Sequence, residues 1–230
     1  MGTNMKIIKL IALLACSFLA TNTYAATITN GDFATCDFTG WQQDTDFGAG
    51  STSNDFEIAG GPTACAAQLN IDFADTSASF YNSIFQSLDL SVVAGQGLNL
   101  SFDWSFDGEE ANYDPLGRDY WLAALGDGSG DLFGADGQLG LLYEGLDYDT
   151  QSFSVDLDSS FFNQAGWSLD FQLVAGFDIN SLGSFLQIDN VQLNSFDLPT
   201  AAVSEPSTAL LLPLALMGLY LRRKRGAVKA

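Results

Sequence analysis

The chain contains no histidine. That removes the Ser-His-Asp and Cys-His nucleophile arrangements and the usual zinc ligand sets. The groups left for chemistry are carboxylates. Two of them can hydrolyse a glycosidic bond, one as acid and the other as base or nucleophile. Glu57, Glu109, Glu110 and Glu144 are the glutamates between residues 26 and 198. Glu109 and Glu110 are adjacent in a loop-like stretch, and no spacing among the four marks a working pair. These residues therefore read as non-catalytic. A carboxylate-dependent glycoside hydrolase or lyase is the enzymatic alternative.

Two acidic loops say more. "DGEEANYDPLGRDY" (107–120) sets Asp107, Glu109, Glu110, Asp114 and Asp119 around Arg118. "GDGSGDLFGADGQ" (126–138) sets Asp127, Asp131 and Asp136 among glycines. Glycine lets a backbone turn tightly enough for carboxylates and carbonyls to converge on a hard cation. The second loop is not an EF-hand: counted from Asp127, its sixth position is Leu132 and its twelfth Gln138. A Ca²⁺ loop and a solvated hairpin loop both fit it. Tyr113, Tyr120 and Trp121 beside the first loop read as candidate surfaces for stacking sugar rings; for Trp121 a strand core is the alternative.

Charge narrows the partners. Lys6 and Lys9 lie near the N-terminus and five bases follow Leu221, so Arg118 is the single base between residues 26 and 205. All 28 acidic residues lie in that span, giving it a net −27. Such a body repels nucleic acid and anionic lipid. It suits solubility, or a divalent cation such as Ca²⁺ that offsets the self-repulsion. Cys36 and Cys65, with 28 residues between them, are the body's only cysteines. In an exported protein an isolated pair reads as a disulfide, worth ~3–4 kcal/mol in the chain-entropy model. A metal pair is the alternative, without histidine to complete it.

Strands must position these groups. In "LNLSFDWSF" (98–106), Leu98, Leu100, Phe102, Trp104 and Phe106 alternate with polar residues, the mark of a strand with one buried face. "SFSVDL" (152–157) and "WSLDFQL" (167–173) repeat the pattern. Less regular candidates are 64–71, 79–90, 120–125 and 139–144. Gly, Asp, Asn and Ser clusters separate them, as turns require. The expected fold class is all-β, a single β-sandwich over 26–198. "FLQIDNVQL" (185–193) shifts phase: Leu186 and Ile188 share one parity, Val191 and Leu193 the other. A β-bulge near Asp189-Asn190 repairs the slip.

The ends read as addresses. Met5 to Lys9 is a basic n-region, Leu10 to Ala20 an apolar core, and Thr23-Tyr24-Ala25 a cleavage site. This is a secretory signal peptide over 1–25, helical in its core, with Ala26 the expected mature N-terminus. Leu13-Leu14-Ala15-Cys16 also resembles a lipobox, the route by which Cys16 would carry lipid. At the other end the apolar run 209–221 has 13 residues, short of the ~20 that span a bilayer as a helix. It contains Pro213 and leads into Arg222, Arg223, Lys224 and Arg225. It reads either as a permanent anchor or as a sorting signal held transiently in the inner membrane. After a linker at 199–205, the tail 206–230, with its signal motif beginning at Val203, resembles the PEP-CTERM sorting class. The resemblance rests on Ser204, Glu205, Pro206, Ser207, Thr208, the short hydrophobic helix and the four bases. Ser204 stands where that class has the first Pro of Pro-Glu-Pro. The resemblance implies processing by an exosortase, and deployment at the cell surface, outer membrane or extracellular matrix beside exopolysaccharide and biofilm.

The body resembles jelly-roll modules of the carbohydrate-binding and galactose-binding-like type. The motifs are Asn30-Gly31-Asp32-Phe33 with Gly40-Trp41 at its opening, and "IDNVQL" at its close. The resemblance implies neighbouring first and last strands, with a structural Ca²⁺ near that edge held by Asp32 and Asp189. A plain turn and a plain bulge are the alternative for those two motifs. Trp41 is read as core rather than sugar platform. The function expected is an exported, non-catalytic matrix protein that binds polysaccharide or serves structurally.

Overall fold

A computed structural model of the chain describes residues 27–45, 54–61, 64–71, 81–108, 118–176 and 183–199. The expected signal peptide and its Ala25–Ala26 junction lie outside these residues. So do Cys16, the linker beyond Pro199, and the tail with Ser204 to Thr208 and the bases Arg222, Arg223, Lys224 and Arg225. The chain divides into two units, 1–196 and 197–230; the sandwich belongs to the first. Among the described residues no helix is long and apolar enough to cross a membrane.

Eleven strands are described: β1 (Gln42–Thr45), β2 (Phe56–Gly61), β3 (Ala64–Ile71), β4 (Tyr81–Ser87), β5 (Gln96–Gly108), β6 (Tyr120–Gly126), β7 (Leu132–Phe133), β8 (Tyr143–Gly145), β9 (Asp149–Asp156), β10 (Ser168–Val174) and β11 (Ser184–Asp197). They form two antiparallel sheets. The first runs β1-β4-β10-β6-β7, with β8 also on β6; the second runs β2-β3-β11-β5-β9. The protein is a β-sandwich, as the alternation in its sequence predicts.

The inner faces make one core. Leu98, Leu100, Phe102, Trp104 and Phe106 of β5 are buried, as are Leu169, Phe171 and Leu173 of β10. Each such side chain contributes roughly 1.5–3 kcal/mol by leaving water. Aromatic rings bridge the layers: Phe102 meets Phe171 edge-on at 4.9 Å and Trp121 at 6.4 Å. Trp104 packs against Trp121 at 4.8 Å. Contacts of this geometry add to area burial.

Buried polar groups also tie the two sheets. Asn82 of β4 donates to the Asn70 carbonyl of β3 at 2.7 Å and accepts from the Thr45 hydroxyl at 3.0 Å. Asp119, beside β6, accepts from the Ser184 hydroxyl of β11 and the Gly176 amide, both at 2.7 Å. Each satisfies a group that would be costly if left unbonded.

The last strand slips phase as its sequence requires. Ser184, Leu186 and Ile188 are buried, then Val191 and Leu193. The extra residue is Asn190, in the left-handed region at φ 51°. Its side chain donates to Asp103 of β5 at 2.8 Å. The expectation that first and last strands are neighbours is corrected. β1 pairs with β4 in the first sheet, whereas β11 lies in the second. The segment before β1 is what meets β11: the Val191 amide donates to the Gly31 carbonyl at 2.8 Å. A Cβ on Gly31 would fall 2.1 Å from the Val191 carbonyl oxygen, so only glycine fits. The same segment buries Phe33 on Trp41 at 5.6 Å, and Cys36 and Cys65 form a disulfide with Cα atoms 5.3 Å apart.

Candidate functional site

The inner alternation leaves the odd residues of β4 and the even residues of β10 facing outward. In the first sheet they pair across strands: Gln42 with Phe85 and Phe85 with Asp170, then Asp44 with Ser83 and Ser83 with Gln172. An open groove of about 360 Å³ lies over this face. Its floor is Asp44 of β1, Tyr81, Ser83 and Phe85 of β4, and Ser168, Asp170 and Gln172 of β10. One wall is the β6–β7 connection, with Gly126, Gly128, Gly130, Asp131 and Leu132. Gly128 and Gly130 take φ of 77° and 101°, which glycine adopts without strain.

Tyr81 and Phe85 stand on one face of one strand, four residues and so about 13 Å apart. Both are half-buried, and Phe85 has no ring partner among the described residues. Apolar ring faces set among hydroxyl, amide and carboxylate groups match a ligand that has both C–H faces and hydroxyl edges.

Asp170 is the distinctive member. Its Oδ1 is buried and has no hydrogen-bond partner among the described residues. A Cβ at Gly126 would sit 2.6 Å from its Oδ2, so the carboxylate packs directly onto the backbone of that glycine. Burial pushes the Asp170 carboxyl above its ordinary value, and a Ser168 hydrogen bond opposes the shift.

A second acidic grouping lies at the β11 bulge. Burial pushes the Asp189 carboxyl up; the Asn190 amide, donating to it at 2.7 Å, opposes this; the carboxylates of Asp103 and Asp32 push it further up. Asp32 and Asp189 thus come near enough to sense each other's charge. Their donors are hard oxygens, the type Ca²⁺ takes. Among the described residues, however, no three acidic, histidine or cysteine side chains are grouped so as to hold a metal ion.

The other residues singled out in the sequence disperse. Glu57 and Glu144 lie exposed on β2 and β8, in different sheets, while Glu109, Glu110, Tyr113 and Asp114 lie outside the described residues. Trp41 and Trp121 are core, 6% and 0% exposed. Arg118 pairs with Asp147 at 2.8 Å. In the glycine-rich loop, Asp127 accepts from the Ser129 amide and Asp136 from the Gln138 amide, which is turn chemistry. Asp131 alone of that loop's three aspartates lines the groove. Sequence reasoning missed Phe85, Asp170 and Gln172. The available signal was parity: both "SLDFQL" and "YNSIFQS" place a polar or aromatic set opposite the buried one.

No family model and no curated protein matches the sequence. Among solved structures, TmCBM61 in complex with β-1,4-galactotriose matches at 15% identity over 77% of this chain and 99% of its own, with a TM-score of 0.44. A Stig cyclase from Fischerella sp. TAU matches at 17% identity over 76% and 99%, with a TM-score of 0.44. Caldicellulosiruptor saccharolyticus CBM27-1 in complex with mannohexaose matches at 14% identity over 75% and 97%, with a TM-score of 0.43.

The Asp170 environment has a pH signature. Its folded pKa is raised, so the folded state holds the proton more tightly than the unfolded chain. The ionised carboxylate therefore costs stability at pH above the folded pKa. That cost is relieved as pH falls through the folded pKa toward the unfolded one. Asp170→Asn should melt higher than the wild type at pH 7, and the gap should close as pH falls toward about 4, the ordinary carboxylate range. A gap that is constant or widens in acid contradicts the burial of this charge.

Proposed function

We propose that the protein is an exported, non-catalytic glycan-binding β-sandwich that works at the cell surface or in the extracellular matrix. The observation that carries this reading is the outward groove of the first sheet, where Tyr81 and Phe85 lie among Ser83, Gln172, Asp44 and Asp170. The rings offer faces to pyranose C–H surfaces, and the polar groups offer partners to hydroxyls. Concave sites with a few placed polar groups are the usual form of a small-ligand site. Titration of the full chain with neutral and amino oligosaccharides should find a ligand. Phe85→Ala should weaken binding at least tenfold while leaving the melting temperature within a few degrees, because the ring is outside the core. Undiminished binding by that variant moves the site elsewhere.

The ends supply the address in this reading. The N-terminal signal directs export, and the PEP-CTERM-like tail presents Glu205-Pro206 to an exosortase from the inner membrane. The mass of the native mature protein tests this. It should begin at Ala26, lack the basic end, and be two hydrogens short for the Cys36–Cys65 bond. A mature chain that retains residues 1–25 and 222–225 overturns the sorting reading.

Calcium belongs to the same proposal as a structural ion at the Asp32–Asp189 edge. A cation bound only by the folded state at a hundred times its Kd adds about 2.7 kcal/mol. For a domain of this size that is roughly 5–10 °C. Mg²⁺ at equal ionic strength controls for screening, since it demands tighter octahedral geometry. Asp189→Asn should remove most of the Ca²⁺ increment and leave the Mg²⁺ increment. Equal shifts from both ions, untouched by the substitution, would mean screening alone.

A further inference from the structure

The groove's charge narrows its ligand. Asp44, Asp131 and Asp170 all line it, and among the described residues no basic side chain does. Arg118, the single base between residues 26 and 205, is bonded to Asp147 and to the Leu146 carbonyl. A glycan bearing uronate, sulfate or phosphate would bring its charge against three carboxylates inside a −27 body. A neutral glycan would offer hydroxyls. Yet the buried Oδ1 of Asp170 lacks a partner, and such an atom is most strongly satisfied by a charged donor. Phe85 pairs with Asp170 across β4 and β10. A group seated on the carboxylate therefore lies beside an aromatic ring, an arrangement that favours a cation.

We infer that the ligand is an amino sugar polymer with free amines, a wholly or partly deacetylated hexosamine, whose ammonium meets Asp170 while a sugar ring rests on Phe85. The inference rests on the glycan-binding reading of this groove. An ammonium has three donors and no acceptor, so it suits a carboxylate with an unused oxygen. It would also relieve the cost that burial imposes on the ionised Asp170. N-acetylation removes the charge and converts the amine to a bulkier amide. The site should therefore discriminate against the acetylated sugar.

The test titrates the full chain with a β-1,4-linked glucosamine tetramer, its fully N-acetylated counterpart and a galacturonate tetramer. The wild type should bind the free-amine tetramer at least tenfold more tightly than the acetylated one and should not bind the uronate. Asp170→Asn should abolish that preference. Asp156→Asn changes net charge equally, from an exposed position on β9 in the other sheet, and should keep the preference. Equal loss in both variants means diffuse attraction to an acidic protein and overturns the inference. Equal binding of the acetylated and free-amine tetramers, both weakened by Phe85→Ala, overturns the amine preference and leaves the glycan site standing. Binding of any tetramer that Phe85→Ala does not weaken overturns the groove reading as well.

Discussion

The contact between Phe102 of β5 and Phe171 of β10, 4.9 Å edge to face, sets which residues these two strands turn inward. It joins the two sheets through strands that are paired on both sides, and Trp121 of β6 closes against the same Phe102 ring. Strand side chains alternate with a period of two, so a ring committed to the core commits every second residue of its strand. With Phe171 inside, Ser168, Asp170 and Gln172 must face out. The β4–β10 register then carries the choice sideways, placing Phe85 beside Asp170 and Ser83 beside Gln172. A one-residue slip in β10 would bury Asp170 and expose Phe171. The groove is thus a consequence of the core and needs no separate device to hold its floor.

Part of the protein's acidity is handled locally. Asp37, Asp89, Asp127, Asp149 and Asp158 accept hydrogen bonds from hydroxyls, amides or backbone N–H groups one or two residues along the chain, which hold these carboxyls below the usual range. They favour the ionised state and strengthen the loops at neutral pH. Their contribution is lost as pH falls through their lowered pKa values. Asp170 and Asp189 are pushed the other way, chiefly by burial. One lies in the groove and the other at the bulge. A cation beside either carboxylate would oppose the upward push that burial gives it.

The same geometry governs how much was legible in the sequence. Strict alternation announced β5, β9 and β10, because a strand packed on one face only writes its burial into every second residue. The phase break announced the bulge, since Ile188 and Val191 can share one core only if Asn190 is extra. The strands β1, β2 and β7 escaped notice. Gln42–Thr45 is an exposed edge with no apolar parity, Phe56–Gly61 ends in two glycines, and Leu132–Phe133 is too short for any period. The groove escaped for a different reason. Phe85 and Asp170 are 85 residues apart and meet only through strand pairing. Composition therefore drew attention to Tyr120, Trp121 and the acidic loops; of these Trp121 is core, Asp127 and Asp136 hold turns, and Asp131 lines the groove.

The bulge and the N-terminal segment explain each other. Once Asn190 turns through the left-handed region, the strand beyond it presents a free amide at Val191, which the Gly31 carbonyl accepts. That contact works only because Gly31 has no side chain, and it needs the segment held in place. The disulfide from Cys36 to β3, the stacking of Phe33 on Trp41 and the paired bonds between Gln86 and the Thr29 backbone supply the hold. None of these sits at the bulge itself. Together they hold an Asp32-bearing turn near the strand that carries Asp189, where the two carboxylates repel. The proximity of the two carboxylates is thus imposed by how the segment is anchored.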